Sequence, residues 1–460
     1  MPGPLTALPA HRRALVVRVV ALLLLTITCV GASVARYHHH HELSPIDELQ
    51  HIDYLDRGAH FHLVHAGQQV EKLAMSEESC RGGVEGVGLP GGIPCGGHYD
   101  PSKYQELGRN TADIHPPTYY LLTGPVARAL VAIGAWSDFV DAGRALGGVW
   151  LAAGLWFLGL SLRRLGASRG LTAVALLSLA VTPLIIRATS IVSNDTTTLL
   201  TGSLVLYVCV RHRQGETALW PLIAGSVAAA WLRPTGILAV IAGAGLLLLA
   251  APTDAALPAG TDAAPVARLR TFATWPRLRA PVAMLAAAFV AQEAWLGIRS
   301  ALAVHSAVPN LIAERQHATS LKVDQVTGAV HAFVPLLGDD ITATTGTEHL
   351  HQLLVTLLSW TLVAAAAAVV MTARRAETVP TLGGVAVSAL VLGAPFLVIT
   401  TFVSQSAYFD IPQRYGVALI PFVVTAAICG SNVLTRRVLS GLFVLSAVLG
   451  WYILLTTWTI

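Results

Sequence analysis

The chain has 460 residues, 54% of them hydrophobic and only 12% charged, and a formal net charge of +4. That balance, with a mean hydropathy of +0.62, excludes an ordinary soluble domain and places the chain in a bilayer. It holds no internal repeat, no heptad pattern and no nucleotide-binding glycine fingerprint, and no nucleic-acid partner is expected.

Apolar runs of about 20 residues, the length that crosses a hydrocarbon core, recur from Ala14 to Ile460. Eleven spans are expected, at 14–35, 144–162, 170–187, 196–211, 218–232, 235–251, 280–298, 351–372, 381–403, 412–430 and 437–458. Basic residues set their direction, because short cytoplasmic loops retain Lys and Arg. Arg12 with Arg13, the group Arg163, Arg164 and Arg169, Arg211 with Arg213, the Arg268 to Arg279 group, Arg374 with Arg375, and Arg436 with Arg437 fall on alternate loops. All six clusters are assigned to the cytoplasm, with residues 1–13 inside and the C-terminus outside. The apolar stretch Tyr119 to Trp136 would invert every later cluster if it crossed, so it is read as interfacial or re-entrant. For the first span a signal peptide cleaved near Ser33-Val34-Ala35 is the alternative; either way the next loop lies outside.

The chain thus divides into a first extracytoplasmic loop at 36–143, six spans over 144–299 with a cytoplasmic linker at 252–279, a second extracytoplasmic loop at 300–350, and four spans over 351–460. Long connections of this kind are usually functional or disordered. The first holds Cys80 and Cys95 in an oxidising compartment, where they are expected to pair, two free thiols being the alternative.

Polar residues gather on the outer face alone. Asp47, Glu48 and His51 stand in SPIDELQH, and His115, Tyr119 and Tyr120 in IHPPTYYLL. Asn194 and Asp195 close ATSIVSND, Arg233 lies in WLRPTG, Arg315 in the second long loop, and Gln413, Arg414 and Tyr415 in IPQRYG. A charge at bilayer depth costs about 2.5–3.5 kcal/mol on insertion scales, so charges just inside span ends point to a shared polar cavity. Blander readings stand beside this one. Arg414 pairs with Asp410 at helical spacing; Tyr119 and Tyr120 anchor at an interface; Asn194 and Asp195 cap the span that starts at Thr196, which we rank above a chemical role. Glu48 and His51 are then solvated loop residues. The run His38 to His41 cannot converge on one ion, and no metal or cofactor is expected.

A D-E-x-x-H motif after the first span, then HPP-x-YY, then a span ending in an S-N-D turn and a late R-Y at an outer span end, resembles the GT-C superfamily of membrane glycosyltransferases. The likeness is to the branch of protein O-mannosyltransferases and lipid A aminoarabinose transferases, especially bacterial membrane proteins with an HPPLYY signature. It covers residues 14–250 well and the remainder by topology. It implies an all-α polytopic fold of about eleven transmembrane helices whose large first loop carries juxtamembrane helices. It also implies an inverting transfer of one sugar from a polyprenyl-phosphate donor to an acceptor hydroxyl of the cell envelope, on the outer face of the plasma (inner) membrane of a bacterium, with Asp47 at the family's catalytic position.

The residues fit that chemistry independently. A sugar hydroxyl needs an aligned carboxylate to take its proton, which assigns the base to Asp47 with Glu48 beside it. A departing lipid phosphate needs positive charge, which Arg414 supplies first and Arg233 and Arg315 after it. His51 is placed to orient substrate. His115, Tyr119, Tyr120, Asn194, Asp195 and Tyr415 complete the expected pocket wall. Unlike in better-known relatives, no soluble outer domain is expected after the last span, so acceptor recognition is expected in the long loops or in a partner protein. A transporter or lipid flippase is the alternative from another class, and a non-catalytic scaffold subunit with this fold is a third.

Overall fold

Backbone polar groups in an apolar segment must be satisfied within that segment, and the helix is the single-chain solution. The computed structural model accordingly consists of helices and loops. It describes residues 10–45, 47–82, 93–250, 275–306, 308–338, 346–372 and 378–456, which contain no strand beyond two isolated bridges. Residues 252–274 of the expected linker and the pair Arg374 and Arg375 lie outside the described residues.

Among the described residues, seven helices are long and apolar enough to cross a membrane: Leu15–His39, Phe139–Arg164, Arg277–Ala301, Gly346–Met371, Thr378–Gln405, Gln413–Gly430 and Val433–Thr456. Arg169–Ala180 and Pro183–Thr189 qualify only as a pair, bent by 62°. The bend falls at Thr182-Pro183, where proline removes a helical donor. The spans expected at 196–211, 218–232 and 235–251 are helices of 16, 13 and 13 residues. At 1.5 Å per residue, 13 residues advance only about 20 Å against a core of roughly 30 Å. Length alone therefore supports seven spans among the described residues, or eight with the bent pair, of the eleven expected.

The centre of the packing is α5 (Phe139–Arg164), which touches α1 (Ala10–His39) on one side and the helix Thr198–Arg213 on another. Glycines allow the close approach. A methyl at Gly147 would meet Thr189 O at 1.9 Å, and one at Gly148 would meet Val30 Cα at 2.5 Å. Lipid-facing side chains behave oppositely: on α1, Leu15, Leu24 and Ile27 are each at least 60% exposed, a pattern that needs a hydrocarbon solvent.

The two long loops meet at one end of the bundle. Val304 N donates to Ala66 O at 2.9 Å, Arg109 reaches Val308 O, and Arg315 pairs with Glu106. The loops expected to be cytoplasmic gather at the other end of α5, where Arg164 bonds Gln214 and Glu216, and Cys429 lies against Leu162 O. The first loop has its own core, in which α2 (Glu48–Ala59), α3 (Lys72–Arg81) and α4 (Thr118–Ala132) bury Leu49, Ile52, Tyr54, Val70, Tyr119 and Tyr120. Cys80 and Cys95 form a disulfide with Cα atoms 4.5 Å apart. Beside it, Arg81 pairs with Glu77, Asp138 and Asp141, riveting α3 to the start of α5. The stretch read as interfacial or re-entrant is α4. Its inner face is in this core, while Leu122, Val126 and Ile133 face outward, 46% to 76% exposed.

Candidate functional site

Two glycines bring the first pair of motifs together. A Cβ at Gly58 would meet the Tyr120 carbonyl at 2.8 Å, and one at Gly124 would meet Leu55 O at 2.5 Å, so α2 and α4 touch backbone to backbone. Tyr54 then stacks on Tyr120 at 3.9 Å, worth about 0.5–1.5 kcal/mol beyond burial. The column continues through His51 to His115, whose rings are 5.3 Å apart. His51 Nδ1 and the Tyr120 hydroxyl share a 2.6 Å hydrogen bond, and His51 Nε2 lies 3.4 Å from Ser193 Oγ. Burial drives His51 down to about 3 and His115 well below its ordinary value, with nearby arginines adding to the effect, so both imidazoles are neutral. His115 Nδ1 is buried with no hydrogen-bond partner among the described residues. Its segment is fixed from the other side, by Trp295 Nε1 donating to Ile114 O and by an Arg299–Asp113 ion pair of 2.7 Å.

Against the far end of this column lies a charged centre. Asp195, 5% exposed, pairs with Arg233 at 2.5 Å and with Arg414 at 3.1 Å. Arg233 is carried by the turn between the two 13-residue helices and also donates to Asn194 Oδ1 at 2.5 Å. Both guanidiniums lie near the Tyr415 ring, at 5.2 and 5.4 Å from its centroid. Burial alone would raise Asp195; the two arginines outweigh it and hold the carboxyl below its usual range. Two guanidiniums and one carboxylate leave one net positive charge at this point.

Asp47 completes the centre. It precedes α2 with φ 54 and ψ 18, the left-handed region, and its side chain caps nothing. No described residue bonds or pairs with its carboxylate, although Arg414, Asp195, Glu106 and Arg233 are all within electrostatic reach. Burial pushes the Asp47 carboxyl up, Arg414 and Arg233 pull it down, and Asp195 and Glu106 reinforce burial, so the net shift is upward. A non-glycine residue in this conformation costs roughly 1–2 kcal/mol. Such strain concentrates where a side chain has a task.

Glu48 is placed differently from the expectation. Its two oxygens accept from Arg144 Nε at 2.8 Å and Nη2 at 2.9 Å, from Ser44 N at 2.7 Å and from Val192 N at 2.9 Å. It is fully buried, and this full set of partners assigns it to the scaffold, not to catalysis. Arg144 also binds the carbonyls of His40, His41 and Glu42, so one ion pair ties the end of α1, the start of α2, α5 and the 190–193 turn together.

The capping role preferred for Asn194 and Asp195 is overturned too. Ser193 is the cap, accepting from Asp195 N at 3.2 Å, while Asn194 and Asp195 face arginines. Tyr119 and Tyr120 are completely buried and are not interfacial anchors. Arg414 pairs with Asp195, not with Asp410. Arg315 is 65% exposed, and among the described residues it pairs with Glu106 and not with Asp195. Reading the sequence alone missed Arg144, Glu106 and Ser193. Arg144 had a signal: an arginine opening an apolar run needs a buried counter-ion. Among the described residues, no three His, Cys, Asp or Glu side chains converge as metal ligands. No family model, no curated protein and no solved structure matches the chain.

Proposed function

We propose that the chain is an inverting membrane glycosyltransferase of GT-C type with about eleven membrane-crossing segments, acting on the extracytoplasmic face of the plasma membrane. It transfers one sugar from a polyprenyl-phosphate donor to an acceptor hydroxyl. The observation that carries this reading is the unpartnered Asp47 carboxylate facing two arginines that share a single buried counter-ion.

In this reading Arg414 and Arg233 hold the donor phosphate, and their net positive charge stabilises it as it departs. The acceptor oxygen bonds to the anomeric carbon as the bond to the phosphate oxygen breaks. The phosphate leaves with that electron pair, and the acceptor proton passes to Asp47. Neutral His115, its Nδ1 unpaired, offers the sugar a hydrogen-bonding atom at the pocket wall.

The test is release of free polyprenyl phosphate from a panel of radiolabelled polyprenyl-phosphate sugars by the protein in lipid. Turnover by the native chain and none by Asp47→Asn supports the reading. Equal turnover in both removes Asp47 from the mechanism. The broken Arg169–Thr189 pair and the short hairpin bearing Arg233 are features that transporters also use. Saturable donor binding without turnover, together with donor movement across a sealed vesicle, would favour that second reading.

A further inference from the structure

Because Arg414 turns to Asp195, Asp410 is left without an ion pair among the described residues. It accepts a 2.7 Å hydrogen bond from the Tyr408 hydroxyl and lines a groove of about 490 Å³ beside the charged centre. The lining also includes the helix Val323–Gly328 and the turn after it, both in the second long loop, through Asp324, Gln325 and His331. Pro335, Val398 and Ile411 supply an apolar floor. Gln413 closes the inner end. It is 6% exposed, its Nε2 is fixed by donating to Pro335 O, and no described residue donates to its Oε1.

The chemistry of this lining is selective. Asp324, Asp410 and the Gln413 carbonyl are acceptors, the Tyr408 hydroxyl is committed to Asp410, the Gln325 amide and the His331 ring carry donors, and among the described residues neither Lys nor Arg lines the groove. A ligand therefore needs donors for these three acceptors and can accept from Gln325 and His331, as a hydroxyl does both, while an anion meets two carboxylates with no Lys or Arg beside them. The apolar floor suits the C–H face of a sugar ring, and a pocket of this volume suits one or two such rings. Neighbouring side chains tie the groove to the charged centre, since Gln413 faces the groove while Arg414 faces Asp195.

We propose that this groove binds an uncharged, hydroxyl-rich ligand of the neutral-sugar class and is the acceptor subsite of the transferase. The acceptor role rests on the function proposed above; sugar binding does not. The experiment is ligand-observed NMR on the full chain in nanodiscs with methyl α-glucopyranoside, methyl α-mannopyranoside, glucosamine and glucuronate. The neutral glycosides should bind in native protein and in Asp47→Asn. Affinity should fall at least about tenfold, some 1.4 kcal/mol, in Gln413→Leu and in the double variant Asp324→Asn, Asp410→Asn. The two aspartates are exposed, so the double variant folds even where Gln413→Leu does not.

Absence of neutral-glycoside binding to native protein overturns the proposal. So does unchanged binding in the double variant, or preference for either charged sugar. Sugar binding lost in the double variant, with no donor turnover by native protein, leaves the groove standing and removes the transferase. Donor turnover dependent on Asp47 with no loss of sugar binding in the groove variants does the reverse.

Discussion

Two buried carboxylate–arginine assemblies sit on either side of the 190–195 turn, and they differ in completeness. In the Glu48–Arg144 pair every carboxylate oxygen has two donors, and the guanidinium caps the carbonyls at the end of α1. In the Asp195–Arg233–Arg414 centre Asp195 Oδ1 and the Nε of both arginines lack a well-aligned hydrogen bond among the described residues, and Asp47 faces it with no partner among them. A saturated ion pair has nothing left to offer a ligand. An unsaturated one, held at the cost of desolvation, is reserved for a group that arrives.

The sharpest way to break this comparison is to substitute one carboxylate from each side. Asp47→Asn should lower transferase turnover by about 10²–10⁴-fold, the usual range for a lost general base. It should leave folding intact, because Asn tolerates the left-handed backbone at this position. Glu48→Gln should do the opposite kind of damage. Leaving Arg144 buried without its counter-charge costs about 3–5 kcal/mol, read as lost thermal stability in detergent. A Glu48→Gln protein that is stable but inactive would reverse the assignment of the two carboxylates.

Arg414→Lys comes next. Lysine keeps the charge but not the planar fork, so donor KM should rise about tenfold while the fold survives. Loss of stability in place of weakened donor binding would make Arg414 a structural partner of Asp195, like Arg144 of Glu48.

The pH profile sharpens the same contrast. Asp47 must be ionised to take a proton, and its carboxyl is displaced upward, by burial first. Activity should therefore fall on acidification at a pH above that of an ordinary carboxylate. Glu106 contributes to that displacement, so Glu106→Gln should move the acid limb of kcat/KM to lower pH. A limb that stays in place would detach Glu106 from the centre.

How much of this was legible beforehand follows from the range of each interaction. The long spans were readable because about 20 apolar residues are a local signal, and helices such as Phe139–Arg164 and Val433–Thr456 fall where they were expected. Asp47, Arg233 and Arg414 were singled out because charges beside apolar runs need a reason. The division of labour between Asp47 and Glu48 was not legible. It depends on Arg144, 96 residues away, which selects the second of two adjacent carboxylates. Asp195 read as a cap because capping is a local rule, whereas its partners lie on two other helix ends. The apolar runs around Arg233 were legible too, but not the 13-residue lengths of their helices, because composition reports hydrophobicity and not where a helix stops.

The smallest expected effect probes the periphery of the first loop. Glu78, on α3 two residues before Cys80, is 6% exposed, and neither of its oxygens has a hydrogen-bond partner among the described residues. Burial pushes its carboxyl from an ordinary 4.5 up to about 7. The folded loop therefore binds this proton more tightly than the unfolded chain. Glu78's share of stability is present in full below about 4.5, declines as pH rises towards 7, and stays lost above it. Glu78→Gln carries no charge at any pH. Its amide exchange across α3 should match the native chain near pH 4.5 and be slower near pH 8, by the equivalent of about 1 kcal/mol. Unlike Asp47, Glu78 is shifted by burial alone, with no arginine acting on it among the described residues. Slower exchange with unchanged turnover would show that an unpartnered buried carboxylate needs those cations beside it before it becomes part of a site.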